Sequence, residues 1–392
     1  MNFYYTSIKM KILKTEQSRF FGVDLMRTLA MMMVVGLHTI LVFTLRPDFF
    51  ATKTWFFFEP FMAFSKAGIL LFFMLSGYLV IGKNRSIKEN WESTRNRILI
   101  PLLFLSIIDL LYKQYRFLLL ENNPLLFWQK QLQNIPNFPD SSLWFLGVLF
   151  YIYLFNPVWQ IIFSKEKNPN LALYLTRLSF IFSLFVTIIK FPCLRQSDLF
   201  NSFTSWLGYL SLYFYGGLVR NGWINNKKKM INIMMVIFGL LGTVAGDYYT
   251  SYTKIHSLPF IWSGYFFEYL SIPNVLLAIG TFNLLIVIKI NPLQKNLLNR
   301  VFINIIRISA GLSYGIYLIH PFIINIFYDI LGFDFDKLKM NIYAYNILNY
   351  SLVLGVSILI SYLVFKTPGL RLIIGEYKQK RLIKSDKEAV TG

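Results

Sequence analysis

The chain reads as an all-α integral membrane protein with about ten transmembrane helices and both termini in the cytoplasm. Three observations predict this. Of its 392 residues, 55% are hydrophobic and only 15% charged, against roughly 25% charged in soluble domains. Apolar runs are long enough to cross about 30 Å of hydrocarbon as helices: residues 28–45 carry no formal charge besides His38, and residues 340–365 carry none. Finally, the net charge of +20 is concentrated in alternate connecting segments.

Ten spans fit, at about 21–45, 66–82, 98–120, 142–163, 171–190, 203–220, 230–249, 266–289, 309–330 and 343–366. The first follows a basic stretch (Lys9, Lys11, Lys14, Arg19) and has no small-residue cleavage site, so it reads as an uncleaved helix and not a signal peptide. The fifth requires Arg177 and Lys190 to snorkel to opposite interfaces. With ten spans, the segments on the side of the termini hold 26 Lys and Arg and those on the other side hold 11. The positive-inside rule then puts both termini in the cytoplasm. This gives a basic N-terminal segment 1–20, one membrane domain over 21–366 and a basic tail 367–392, with no convincing inverted repeat. Because the positive charge sits between spans, nucleic acid is not the expected partner; membrane lipid is. A single cysteine, Cys193, precludes an internal disulfide and any CxxC pair, and no zinc-ligand spacing or other metal site is expected.

Within the first span the stretch RTLAMMMVVGLH sets Arg27 and His38 eleven residues apart. Eleven residues rotate a helix only ~20° beyond three turns, so both side chains leave one face, about 16 Å apart along the axis. Asp24, three residues before Arg27, can pair with it on that face. A charged arginine mid-membrane costs roughly 2.5–3.5 kcal/mol on insertion scales. Either Arg27 snorkels and His38 packs on a carbonyl, or the two are functional.

Later segments add polar groups. Span 2 holds LLFFMLSGY, where Ser76 and Gly77 suit close helix approach or a hydrogen bond across it. RNRILIP, residues 95–101, opens span 3 with Arg95 and Arg97, which either obey topology or fork onto phosphates. Span 9 holds ISAGLSYGIYLIHP, with Tyr314, Tyr317 and His320 at every third position. Pro321 cannot donate to the Tyr317 carbonyl, which leaves that oxygen open to another partner. His256 falls in an outer loop and reads as ordinary.

Taken in order, these segments resemble the membrane-bound acyltransferase-3 family: an R-x10-H first helix preceded by Asp, an FFxLSG block, a basic R-x-R-x-x-x-P entry, a Leu143-Trp144-Phe145-Leu146 helix start and a late SYGIYLIHP motif. Larger relatives carry a glutamate about five residues after that Trp; Leu149 stands here, and that carboxylate's role cannot be carried over. The resemblance implies an O-acetyltransferase-like enzyme of the bacterial cytoplasmic membrane. It would move an acyl group, acetyl foremost, from cytoplasmic acyl-CoA to a hydroxyl of a cell-surface carbohydrate or its precursor, beside surface-polysaccharide assembly machinery. Acyl-CoA is then a co-substrate, with no bound cofactor. His38 and Arg27 would be catalytic, with Arg27, Arg95 and Arg97 holding acyl-CoA and Asp24, Ser76, Gly77, Tyr314, Tyr317 and His320 supporting. His38 would be the base or the acyl acceptor. The rival reading is a transporter or flippase for a lipid-linked glycan or acyl group, with the buried polar residues as its path.

Overall fold

A computed structural model describes residues 21–44, 48–83, 85–121, 127–130, 143–164, 169–190, 206–256, 265–289 and 297–375. The N-terminal segment 1–20, Cys193 and the tail beyond residue 375 lie outside the described residues. Among the described residues every regular element is helical. In chain order these are α1 (Phe21–Thr44), α2 (Lys53–Val80), α3 (Ile87–Thr94), α4 (Ile100–Glu121), α5 (Trp144–Leu154), α6 (Asn156–Ile162), α7 (Pro169–Lys190), α8 (Trp206–Asn221), α9 (Lys229–Ile255), α10 (Ile272–Ile286), α11 (Leu297–Asn325), α12 (Phe335–Leu338) and α13 (Ile342–Lys366). Single π-helical turns join α3 to α4 (Arg95–Leu99) and extend α11 (Ile326–Ile330).

Seven helices among these residues are long and apolar enough to cross a membrane, or eight if α5 and α6 form one span bent by 58°. The bend falls at Phe155, where Pro157 in the first turn of α6 lacks the N–H that a continuous helix would use. The remaining two expected spans correspond to α8 and α10. At 16 and 15 residues they fall short of the roughly 20 that a straight crossing needs.

Two helices begin well before their expected starts. α11 starts at Leu297 and not near 309. α2 starts at Lys53 and not near 66, capped by Thr52, whose hydroxyl accepts from the Trp55 N–H at 3.3 Å. The aromatic run around Phe56–Phe64 carries the apolar character outward past Glu59 and Pro60, so both acidic and basic residues end up inside the helix.

α2 is the central element, packed by α1, α8, α9 and α10. Its crossing with α8 depends on glycine. A Cβ on Gly77 would run into the carbonyl of Tyr213, and one on Gly216 into the carbonyl of Met74, so the two backbones meet directly. Aromatic side chains fill the space around the crossing: Phe73 sits between Phe145 and Tyr209, with ring centroids 4.7 and 4.6 Å away. Polar side chains tie the remaining helices together. Asn283 of α10 donates through Nδ2 to the Tyr215 oxygen on α8 at 2.9 Å and to Asn232 Oδ1 on α9 at 3.1 Å.

On the other side of α2, Lys66 is ion-paired with Asp247 of α9, both fully enclosed. Glu59 hydrogen-bonds the same aspartate. A bond between two carboxyl groups requires a proton on one of them, so the triad balances as one ammonium and one carboxylate. Removing the ammonium alone leaves Asp247 uncompensated. Lys66→Met should lower stability by on the order of 3–5 kcal/mol, and Lys66→Met/Asp247→Asn should recover most of it; thermal unfolding of the purified protein in detergent measures both.

Candidate functional site

α1 positions three of the sequence-identified residues on one face, as its 3.6-residue repeat requires. The helix is anchored to α11 near its start, where the Thr28 hydroxyl donates to the Ile306 carbonyl at 3.2 Å. Asp24 lies within electrostatic reach of Arg27 and of Arg307 on α11, so the expected Asp24–Arg27 neighbourhood also includes a second arginine. His38 lies about 16 Å farther along the helix.

At that far end His38 meets His320, with ring centroids 5.2 Å apart and planes tilted by 44°. The orientation of His320 follows from Pro321. Without an N–H at position 321, the carbonyl of Tyr317 lacks its helical donor, and His320 Nδ1 supplies one at 2.7 Å, with the Ile316 carbonyl at 3.3 Å. Donation from Nδ1 fixes the tautomer of a neutral imidazole and leaves Nε2 as an acceptor. That Nε2 is buried and has no partner among the described residues. Tyr317 is held below the pair by Phe145 and Phe72, at 5.4 and 6.0 Å between ring centroids. A cavity of about 240 Å3 opens beside the pair, lined by His38, Asp109 and Lys113 of α4, and Pro321, Phe322 and Asn325 of α11.

The near end is an open chamber of cations, in which Lys83 and Arg97 are themselves exposed. Lys83, on the segment between α2 and α3, is surrounded by the charges of Arg85, Arg97, Arg27 and Arg220. Partial burial, reinforced by those four guanidinium groups, pushes the Lys83 ammonium down to about 8. Arg85 is lowered as well, first by burial and then by Arg97, and donates to Ser93 Oγ at 3.1 Å. The Arg220 guanidinium stacks over the Tyr78 ring at 5.2 Å. Ser76 neighbours the Tyr153 hydroxyl, which Arg97, Arg85 and Arg27 also face. So many like charges repel unless an anion joins them. Such a cluster suits phosphate, whose oxygens match the arginine fork.

The other sequence-identified residues are distributed unequally. Arg97 faces Lys83 and Tyr153, whereas Arg95 donates from Nε to Asn96 Oδ1 at 3.1 Å; both side chains are exposed. The π-helical turn that holds both separates their directions, and such turns are frequent at functional sites. Tyr314 lies toward the chamber, donating to the Arg97 carbonyl at 2.7 Å. The Tyr314–Tyr317–His320 row therefore runs from the cations to the histidine pair. Gly77 lies at the α2–α8 crossing instead. Leu149, where larger relatives carry a glutamate, is a buried core residue.

Lys83, Arg85, Arg220 and Tyr153 were missed in the sequence, because basic residues flanking spans look the same whether they obey topology or bind a ligand. Asp109 and Lys113 did carry a signal: opposite charges four residues apart inside an apolar span. Among the described residues no three His, Cys, Asp or Glu side chains gather as a metal site requires.

A family model described as an acyltransferase domain, the acyltransferase-3 model, matches residues 20–366. The chain belongs to this family. It is a multi-pass membrane acyltransferase that transfers groups other than aminoacyl groups. Comparison with curated proteins and with solved structures found no match. In this acyltransferase the missing N–H of Pro321 leaves the Tyr317 carbonyl to hold the His320 ring in place. Pro321→Ala restores an N–H that competes with His320 Nδ1 for the Tyr317 carbonyl. Acyl transfer should slow about tenfold, the equivalent of one hydrogen bond, and the pH–rate profile should shift as His320 loses its fixed tautomer. Steady-state kinetics across pH check this.

Proposed function

We propose that this acyltransferase takes an acyl group, acetyl foremost, from acyl-CoA on the cytoplasmic side of a bacterial inner membrane and delivers it to a carbohydrate hydroxyl on the opposite side. One observation carries the reading. A single helix, α1, links a cationic chamber at Arg27 to a histidine pair at His38. The chamber lies at the N-terminal end of α1, and the excess of Lys and Arg on that side supports a cytoplasmic placement. Arg27, Lys83, Arg85, Arg97 and Arg220 would hold the phosphates, and the flexible pantetheine arm would carry the thioester along the roughly 16 Å to the histidines.

His38 acts as general base. The acceptor hydroxyl gives its proton to His38 while its oxygen attacks the thioester carbonyl, and a tetrahedral oxyanion forms. The C–S bond then breaks. The departing sulfur takes the proton back from His38, leaving an ester and free coenzyme A, so no net proton is consumed. His320, with Nδ1 committed to Tyr317, offers its Nε2 lone pair to the same neighbourhood and can orient His38 or the acceptor hydroxyl. Surface-polysaccharide assembly machinery is the partner such a product fits.

His38→Ala should reduce acylation of the glycan by 10²- to 10⁴-fold, the usual worth of a general base, with membrane insertion unchanged; glycan mass spectrometry against wild type reads the outcome. The chamber also predicts a pH dependence. Lys83 is charged below about 8 and neutral above it, so affinity for the polyanionic donor should be highest below pH 8 and fall as pH rises through that value. Lys83→Arg, which stays charged, should flatten this slope in the KM for acyl-CoA.

A further inference from the structure

We propose that Asp109, Lys113 and Asn325 form an acceptor subsite that binds a single uncharged sugar ring over His38. The inference rests on the acyl-transfer reading of His38 and adds the side chains and substrate class on the receiving side.

The first support is placement. α4 turns Leu103, Ile107 and Leu111 outward, and these are 52, 57 and 59% exposed on the surface that lipid would cover. On the α11-facing side it carries Asp109, Lys113 and Arg116, spaced as one helical stripe. Asp109 and Lys113 pair at 3.1 Å and line the same cavity as His38. A helix needs no charges there to span a membrane, and each one is costly. The upper end of the stripe is fastened to α11. Asp329, on the π-helical turn Ile326–Ile330, accepts from Tyr112 and pairs with Arg116. This clamp ties α4 to the end of α11, and Asn325 lines the same cavity as the Asp109–Lys113 pair.

The second support is chemistry. Sugar hydroxyls both donate and accept. Asp109 supplies acceptor oxygens, the Lys113 ammonium supplies donors, and the Asn325 amide supplies both. Pro321 and Phe322 give the cavity an apolar wall against which the C–H face of a pyranose can lie. Among the described residues that line the cavity the charges balance, one carboxylate against one ammonium. A uronic acid would bring a second carboxylate next to Asp109 without a second cation, so neutral sugars are favoured. The volume, about 240 Å3, accommodates one ring and not a folded oligosaccharide, so the acceptor enters by a terminal or side-branch residue.

The test measures binding separately from catalysis. Saturation-transfer NMR on the full-length chain in detergent uses methyl glucoside, methyl galactoside and methyl glucuronoside as probes. Wild type should bind a neutral glycoside saturably. Asp109→Asn and Asn325→Ala should each weaken that binding at least tenfold, and the glucuronoside should bind wild type at least tenfold more weakly than its neutral counterpart. Asp109→Asn, a near-isosteric change that removes the carboxylate, should narrow the neutral-to-acidic gap, which a merely structural residue would not do. The subsite is overturned if no glycoside binds saturably, if wild type binds glucoside and glucuronoside equally, or if both variants bind like wild type. Undiminished acyl transfer by His38→Ala would instead overturn the role of His38, and the binding results would still decide the subsite.

Discussion

Pro321 has no N–H, so the helix in which it sits must find another donor for the carbonyl of Tyr317. In water a solvent molecule would fill that role; in a bundle surrounded by hydrocarbon the donor has to come from the protein. His320 Nδ1 provides it at 2.7 Å, and much of the site follows from this bond. It turns the imidazole toward α1, fixes which nitrogen carries the proton, and leaves a buried acceptor beside His38. A residue that weakens a helix interior thereby sets the geometry of the histidine pair.

The same constraint governs the rest of the interior. Lys66, Glu59 and Asp247 form a neutral triad because an isolated charge would be too costly there. Asn283 joins three helices through one amide for the same reason. Only where charges approach an aqueous face does like gather with like, in the ring of Lys83, Arg85, Arg97, Arg27 and Arg220. That imbalance suits an anion, as proposed for the donor, and the paired Asp109 and Lys113 at the other end of α1 suit the neutral ligand proposed there. The polarity of the molecule along α1 thus parallels the direction of the proposed reaction, from an anionic donor to an uncharged acceptor.

Packing gives this arrangement its rigidity. The bare backbone contact of α2 with α8 at Gly77 and Gly216 brings Ser76 to Tyr153 at the floor of the chamber, and the aromatic stack around Phe73 fills the volume that the glycines leave. Gly77 contributes to the site only through this crossing.

The sequence by itself determined the helical membrane class, because apolar runs near 20 residues long have one stable form in hydrocarbon. It also determined the shared face of Asp24, Arg27 and His38, because helical repeat is a local property, and it marked the Tyr317 carbonyl as open because proline chemistry is local too. It misplaced the start of α2 by thirteen residues, since Glu59 and Lys66 look like loop residues until Asp247, on a distant helix, is seen to neutralise them. Only the tertiary structure decided that His320 faces His38, that Arg97 enters the chamber while Arg95 does not, and that Lys83, Arg85 and Arg220 converge there. These are contacts between residues far apart in the chain. Their specificity resides in helix crossings and turn registers, which no spacing along one helix encodes.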